Sequence, residues 1–178
     1  MVRFWQKGMK KILTILNDIK AKGLIEDYAI AGGIAAIYYT ETIWTHDLDF
    51  FVAINPRFMK AILDPSPIYS YFTDLGYSWK GGHIIIEGIP IQFIFVDSDI
   101  EKDALKNAKD IVYEDIKTRV LRAEYLIAIY SKIQRDKDLE KIRRITEQYK
   151  IDRTLFNKIL KKYNLHNPLE EKCNKHLR

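Results

Sequence analysis

Asp47 and Asp49 are the two residues of this 178-residue sequence best placed to do chemistry. They open the apolar, aromatic-rich run DLDFFVA at residues 47–53, which reads as a strand. Side chains along a strand alternate between faces, so both carboxylates share one side while Leu48, Phe50 and Val52 take the other. Two like charges at the mouth of an apolar strand repel each other. Either one carboxyl stays protonated or a cation joins them. A divalent ion, magnesium or manganese, suits that place, because it takes hard oxygen ligands and keeps positions open for phosphate.

A second group lies upstream. Gly32-Gly33 ends a short apolar strand at residues 28–31, and residues 34–39 then read as a short buried helix. A tight turn lets the backbone approach a ligand closely, and the helix behind it offers free N–H groups. If the two strands are antiparallel neighbours, the end of the first lies beside the start of the second. Gly32, Gly33, Asp47 and Asp49 would then face one space, with triphosphate on one side and metal on the other. The plainer alternative, a turn and two surface aspartates, puts these residues far apart.

The elements that would position this group follow from hydrophobic spacing. Met9, Ile12, Leu13, Leu16 and Ile19 form one face of a first helix. Pro56 is expected to start a helix that Pro65 and Pro67 interrupt, with a second helix running to about Leu75. Residues 77–79, 83–87 and 91–96 read as strands, with Gly81-Gly82 and Gly88-Ile89-Pro90 as their turns. From Arg122 onward helical spacing takes over. Leu126, Ile129 and Ile133 mark one face, Leu139, Ile142 and Ile145 the next, and Leu155, Ile159 and Leu160 the last. The expected fold is α/β (α+β), a mixed sheet flanked by helices. The expected division is a core over residues 1–120 and a helical C-terminal extension over 121–178, packed on that core. No Pro/Gly/Ser-rich linker separates the two.

Composition narrows the class. Hydrophobic residues are 47% and charged residues 30%, a globular balance that excludes a disordered or fibrous chain. The lone Cys173 excludes an intrachain disulfide and a cysteine zinc site. The first twenty residues space their apolar side chains among lysines, unlike a secretion signal, and no apolar run is long enough to span a membrane. A soluble, cytoplasmic protein is expected. The net charge of +5 favours phosphate-bearing partners.

The arrangement Gly32-Gly33 … Thr45-His46-Asp47-Leu48-Asp49 resembles the nucleotidyltransferase superfamily related to DNA polymerase beta. Within it, the chain is most similar to the abortive-infection (AbiEii-type) and minimal nucleotidyltransferase branch. The similarity extends to Glu124-Tyr125-Leu126-Ile127-Ala128, Lys132, Arg135-Asp136-Lys137-Asp138-Leu139 and a closing segment at 151–165. The resemblance implies transfer of a nucleoside monophosphate from a nucleoside triphosphate to a hydroxyl acceptor on tRNA, protein or a small molecule. A toxin or antitoxin partner is also implied. It assigns Mg2+ or Mn2+ to Asp47 and Asp49, phosphate contact to Gly32 and Gly33, and roles at the site to Lys132 and Asp138. Lys132 would neutralise phosphate charge, and Asp138 would orient Lys132 or substrate. Thr45 would cap the strand entry or touch the nucleotide.

One position departs from the pattern. Where the superfamily often carries a third carboxylate this chain has Gln92, which is no base and a poorer metal ligand; Glu87 lies nearby on the preceding strand. A catalytically silent nucleotide-binding or interaction subunit is therefore the rival expectation. His46 and His83 read as rim or surface residues, and Trp5, Trp44 and Trp79 as core or rim aromatics, with Trp44 able to stack on a base. The basic run Lys132, Arg135, Lys137, Lys141, Arg143 and Arg144 is interleaved with Asp136, Asp138 and Glu140 and reads as a mixed surface rather than an RNA track.

Overall fold

The computed structural model describes residues 2–41, 45, 47–58 and 64–169, with side chains throughout except at 2–7 and 58. Trp44, His46, Cys173 and the side chain of Trp5 fall outside that description. Among the described residues the strands form one seven-stranded mixed sheet flanked by helices.

The amphipathic N-terminal segment is a long helix, α1 (Val2–Ala21), with Ile12, Leu13, Leu16 and Ile19 at zero exposure. It packs on the first strand, β1 (Ile25–Ile30). A short helix, α2 (Gly32–Tyr39), follows at once and leads to β2 (Leu48–Ile54). β1 and β2 are antiparallel, with Ile30 opposite Phe50. Leu48, Phe50, Val52 and Ile54 are buried on one face of β2, as alternation requires, which leaves Asp49, Phe51 and Ala53 on the other.

Pro56 opens a 3-10 turn, Pro56–Phe58, and the rest of the helix expected from there lies outside the described residues. Helix α3 (Ser66–Asp74) tolerates Pro67 in its first turn, where no intrahelical N–H is required. Strands β3 (Trp79–Lys80), β4 (His83–Ile86) and β5 (Ile89–Phe95) form a meander. The expected Gly88-Ile89-Pro90 turn is tighter than that. Glu87 and Gly88 alone turn, both at positive φ (50° and 77°), so Ile89 and Pro90 belong to β5. β5 then runs parallel to β2, with Gln92 opposite Asp49 and Ile94 opposite Phe51.

Three further elements, beyond those expected from hydrophobic spacing, lie between residues 99 and 120. Helix α4 (Asp99–Lys106) begins where the Ser98 N–H meets the Glu101 carboxylate at 3.2 Å. Strands β6 (Lys109–Tyr113) and β7 (Ile116–Val120) form a hairpin on the far edge of the sheet. β7 meets β1 in parallel only at Ile30 and Val120, and the two strands fork below that point.

The back half is helical: α5 (Ala123–Ile133), α6 (Asp136–Gln148) and α7 (Arg153–Lys162). On α6 the buried face starts at Asp138 and continues through Ile142 and Ile145, while Leu139 is exposed, one position off the expected stripe. α5 packs on α2 and α4, which lie on the sheet. One apolar cluster runs from Met9 of α1 to Leu160 of α7, and the buried residues Val120, Leu121 and Ala123 carry it from strand to helix.

Candidate functional site

The end of β1 and the start of β2 are stitched together by the Ala31 N–H, which donates to the Asp49 carbonyl at 2.8 Å. The chain then turns into α2 through Gly32 at φ 53°, in the left-handed region. A Cβ at Gly32 would lie 1.7 Å from Asp49 Oδ2, so only glycine leaves room for that carboxylate. A Cβ at Gly33 would meet Thr45 at 2.6 Å. The Gly33 N–H donates to the Asp49 carboxylate, and Thr45 Oγ1 donates to Asp47 Oδ1 at 2.7 Å. The glycine turn, the threonine and both aspartates therefore make one contact group. The alternative with the aspartates remote from the glycines does not describe this molecule.

The group opens into a cleft of about 640 Å³, whose lining includes Gly32, Thr45, Asp47, Asp49 and Gln92. Its floor continues along the sheet through Phe51 and Ile94. One wall is the stripe Leu126, Ile129, Tyr130 and Ile133 of α5. The rim carries Arg135, Lys137, Glu140 and Lys141 from the start of α6.

Charge in the cleft is unevenly matched. Burial, and then the Asp47 charge beside it, push the Asp49 carboxyl above the ordinary carboxylate range. Lys141, the Gly33 amide and Lys137 pull the other way without overcoming them. A pair of carboxylates short of positive charge is a donor set that fits a hard divalent cation. Among the described residues no third His, Cys, Asp or Glu joins the pair as a metal-binding group. Gln92 stands in register beside Asp49, and Glu87 sits in the exposed β4–β5 turn, away from the cleft lining.

Neither Lys132 nor Asp138, the two helical residues that the resemblance assigns to the site, lines this cleft. Lys132 is exposed and is not among the lining residues, because the cleft-facing stripe of α5 runs through positions 126, 129, 130 and 133. Asp138 is fully buried at the first turn of α6. It receives Arg135 Nε at 2.6 Å and approaches Lys141 Nζ at 3.5 Å. It orients those two cations, not Lys132. Its place also lets it interact with the positive end of the helix. Lys137 and Lys141 belong to the run expected to be a mixed surface, yet they line the cleft, and their four-residue spacing puts them on one side of a helix. Arg143 and Arg144 do behave as mixed surface, since both bind Glu140 and Arg143 also binds Glu147.

Tyr130 was missed. Its side chain is 4% exposed, its hydroxyl donates to the Gly32 carbonyl at 2.7 Å, and Lys141 Nζ lies 4.9 Å from its ring centre. Trp79 sits half-buried in an aromatic cluster with Tyr69, Phe72 and Phe93, as a core residue. His83 Nδ1 lies 2.9 Å from the Gly81 carbonyl, outside the cleft.

No model of a known protein family matches the chain, and no curated protein matches it. A solved structure does: the crystal structure of an antigenic nucleotidyltransferase-like protein from Paracoccidioides brasiliensis. It superposes with a TM-score of 0.51 at 17% identity, covering 78% of this chain and 75% of that one. The chain therefore has a nucleotidyltransferase-like fold. Among the described residues no helix is long and apolar enough to cross a membrane.

Proposed function

We propose that the protein is a metal-dependent nucleotidyltransferase of the abortive-infection or minimal branch. It would move a nucleoside monophosphate from a nucleoside triphosphate to a hydroxyl of tRNA, a partner protein or a small molecule. The observation that carries this reading is the seating of Asp49 against a left-handed Gly32, inside a cleft whose opposite rim bears Arg135, Lys137 and Lys141.

Asp47 and Asp49 are the residues that would hold Mg2+ or Mn2+, with Thr45 fixing Asp47 through its hydroxyl. A divalent ion held there would supply the positive charge that phosphoryl transfer needs on the reacting phosphate. The rim cations would draw in the outer phosphates, and Asp138 keeps two of them, Arg135 and Lys141, aimed together. In the transfer itself the acceptor oxygen bonds to the α-phosphorus as the bond to the bridging oxygen breaks. Pyrophosphate leaves, and the hydroxyl proton goes to solvent. The Gly33 amide faces Asp49 in this structure, so its part is to hold the carboxylate, and contact with phosphate would require it to turn away.

A second reading is favoured by one observation. Gln92 occupies the place beside Asp49 where a third carboxylate would be a neighbour in register. A silent nucleotide-binding subunit, for instance one half of a toxin–antitoxin pair, fits that substitution. The experiment that decides supplies each labelled ribonucleoside triphosphate with magnesium or manganese, in the presence of bulk tRNA and of cell protein. Transfer of label with release of pyrophosphate is the expected result. Saturable binding with no label transferred to either acceptor class favours the silent subunit.

A further inference from the structure

We propose that Tyr130 is a positioning residue of the cleft: its hydroxyl holds the Gly32 carbonyl and thereby sets the turn against which Asp49 is seated. The inference rests on the nucleotidyltransferase reading of the cleft and adds a residue that reading does not require.

Glycine has the widest conformational freedom of any residue, so a glycine turn that must keep one shape needs a restraint from outside. On one side Asp49 supplies it by filling the space where a Cβ would lie. On the other side the restraint arrives from a helix 98 residues further along the chain, as the 2.7 Å bond from Tyr130. The hydroxyl is a dependable donor. Burial, followed by the negative charges of Asp138 and Asp49, pushes its pKa well above the ordinary tyrosine range, so it keeps its proton at any working pH.

Tyr130 is in turn held by the rim. Lys141 lies over its ring and is tied to the buried Asp138, which also anchors Arg135. The line from the rim to the carboxylates is thus Asp138, Lys141, Tyr130, Gly32, Asp49, each in contact with the next. Cations that meet the outer phosphates bear directly on the tyrosine that shapes the seat of Asp49.

The test uses Tyr130→Phe, which keeps the ring under Lys141 and removes the one bond. Tyr125→Phe is the control, since Tyr125 is buried on the same helix and its hydroxyl instead meets Asn107 at 3.2 Å. Two quantities are measured in wild type and both variants. One is the affinity for each of the four magnesium–ribonucleoside triphosphate complexes. The other is the position of the Gly32 and Gly33 amide resonances without nucleotide. The expected result is an affinity loss of about tenfold with displaced glycine resonances in Tyr130→Phe, and neither in Tyr125→Phe. Affinity within twofold of wild type, unmoved glycine resonances, or equal losses in both variants each overturn the positioning role. Wild-type protein that binds none of the four complexes overturns the functional reading itself, and the positioning role with it. Tight wild-type binding left intact in Tyr130→Phe overturns only the tyrosine's part.

Discussion

Two openings among the described residues are similar in size and chemically opposite. The cleft at the mouth of β2 measures about 640 Å³, and the gap in the fork between β1 and β7 about 710 Å³. In the fork, charge meets charge. Asp27 receives Lys20 Nζ at 2.6 Å and is paired with Arg119, which also donates to the carbonyls of Lys106 and Ala108. Asn17 bridges the Tyr28 hydroxyl and the Lys117 carbonyl. In the cleft, the hydrogen-bond partners described for the two aspartates are a hydroxyl and an amide, and two of the three rim cations, Arg135 and Lys141, are tied to Asp138. Volume does not separate a binding site from a gap in a sheet. What separates them is how their aspartates are partnered: Asp27 in the fork already holds two cations.

That contrast can be broken by substitution. Asp47→Asn should lower magnesium-dependent triphosphate affinity by roughly 100-fold or more, read by titration calorimetry, because losing even an indirect partner of a metal ligand costs 10- to 100-fold. Unchanged affinity would return the cleft to the same class as the fork. Gly32→Ala should lower both affinity and stability, the latter by roughly 2–3 kcal/mol in urea unfolding. It forces a side chain into the left-handed region and onto Asp49. Asp27→Asn should do the reverse of Asp47→Asn. Stability falls by roughly 1–2 kcal/mol as Arg119 and Lys20 lose their shared partner, while triphosphate affinity stays where it was.

The smallest effect belongs to Glu140, on the cleft rim but solvent-exposed. Arg143 and Arg144 hold its carboxyl down to about 2, from an ordinary 4.5. A depressed acid stabilises the fold above its unfolded value and loses that contribution as pH falls from the one value to the other. Glu140→Gln should therefore flatten the acid limb of stability slightly between those two pH values. Added salt should erase the difference, since exposed pairs are screened.

The carboxylate strand and the glycine turn were legible because local rules govern them. Alternation puts Asp49 on the face opposite Phe50, and a paired glycine after an apolar strand marks a turn whatever lies elsewhere. The antiparallel pairing of β1 with β2 followed as a single conditional step. The cleft wall was not legible in the same way. Lys132 and Tyr130 sit two positions apart on α5, and which of them faces the cleft depends on how α5 is rotated against α2 and α4, a matter of packing that spacing alone leaves open. The resemblance gave Asp138 a role at the site, but its burial and its partners Arg135 and Lys141 were not legible, since a buried aspartate is recognisable only once its cations are placed. The β6–β7 hairpin was missed because Lys, Asp, Glu, Thr and Arg dominate residues 109–120, and a strand exposed along a sheet edge needs little apolar content.

The shared interior has a consequence for how the protein is made. Phe156 and Ile159 of α7 lie in the same apolar cluster as Ile12 and Leu16 of α1. The carboxylate strand emerges early in synthesis, but the last side chains that close over the interior emerge more than a hundred residues later. Until they follow, the growing chain exposes an apolar surface that α7 later covers, so the cleft takes its final shape only once the helices behind the carboxylate strand have been made.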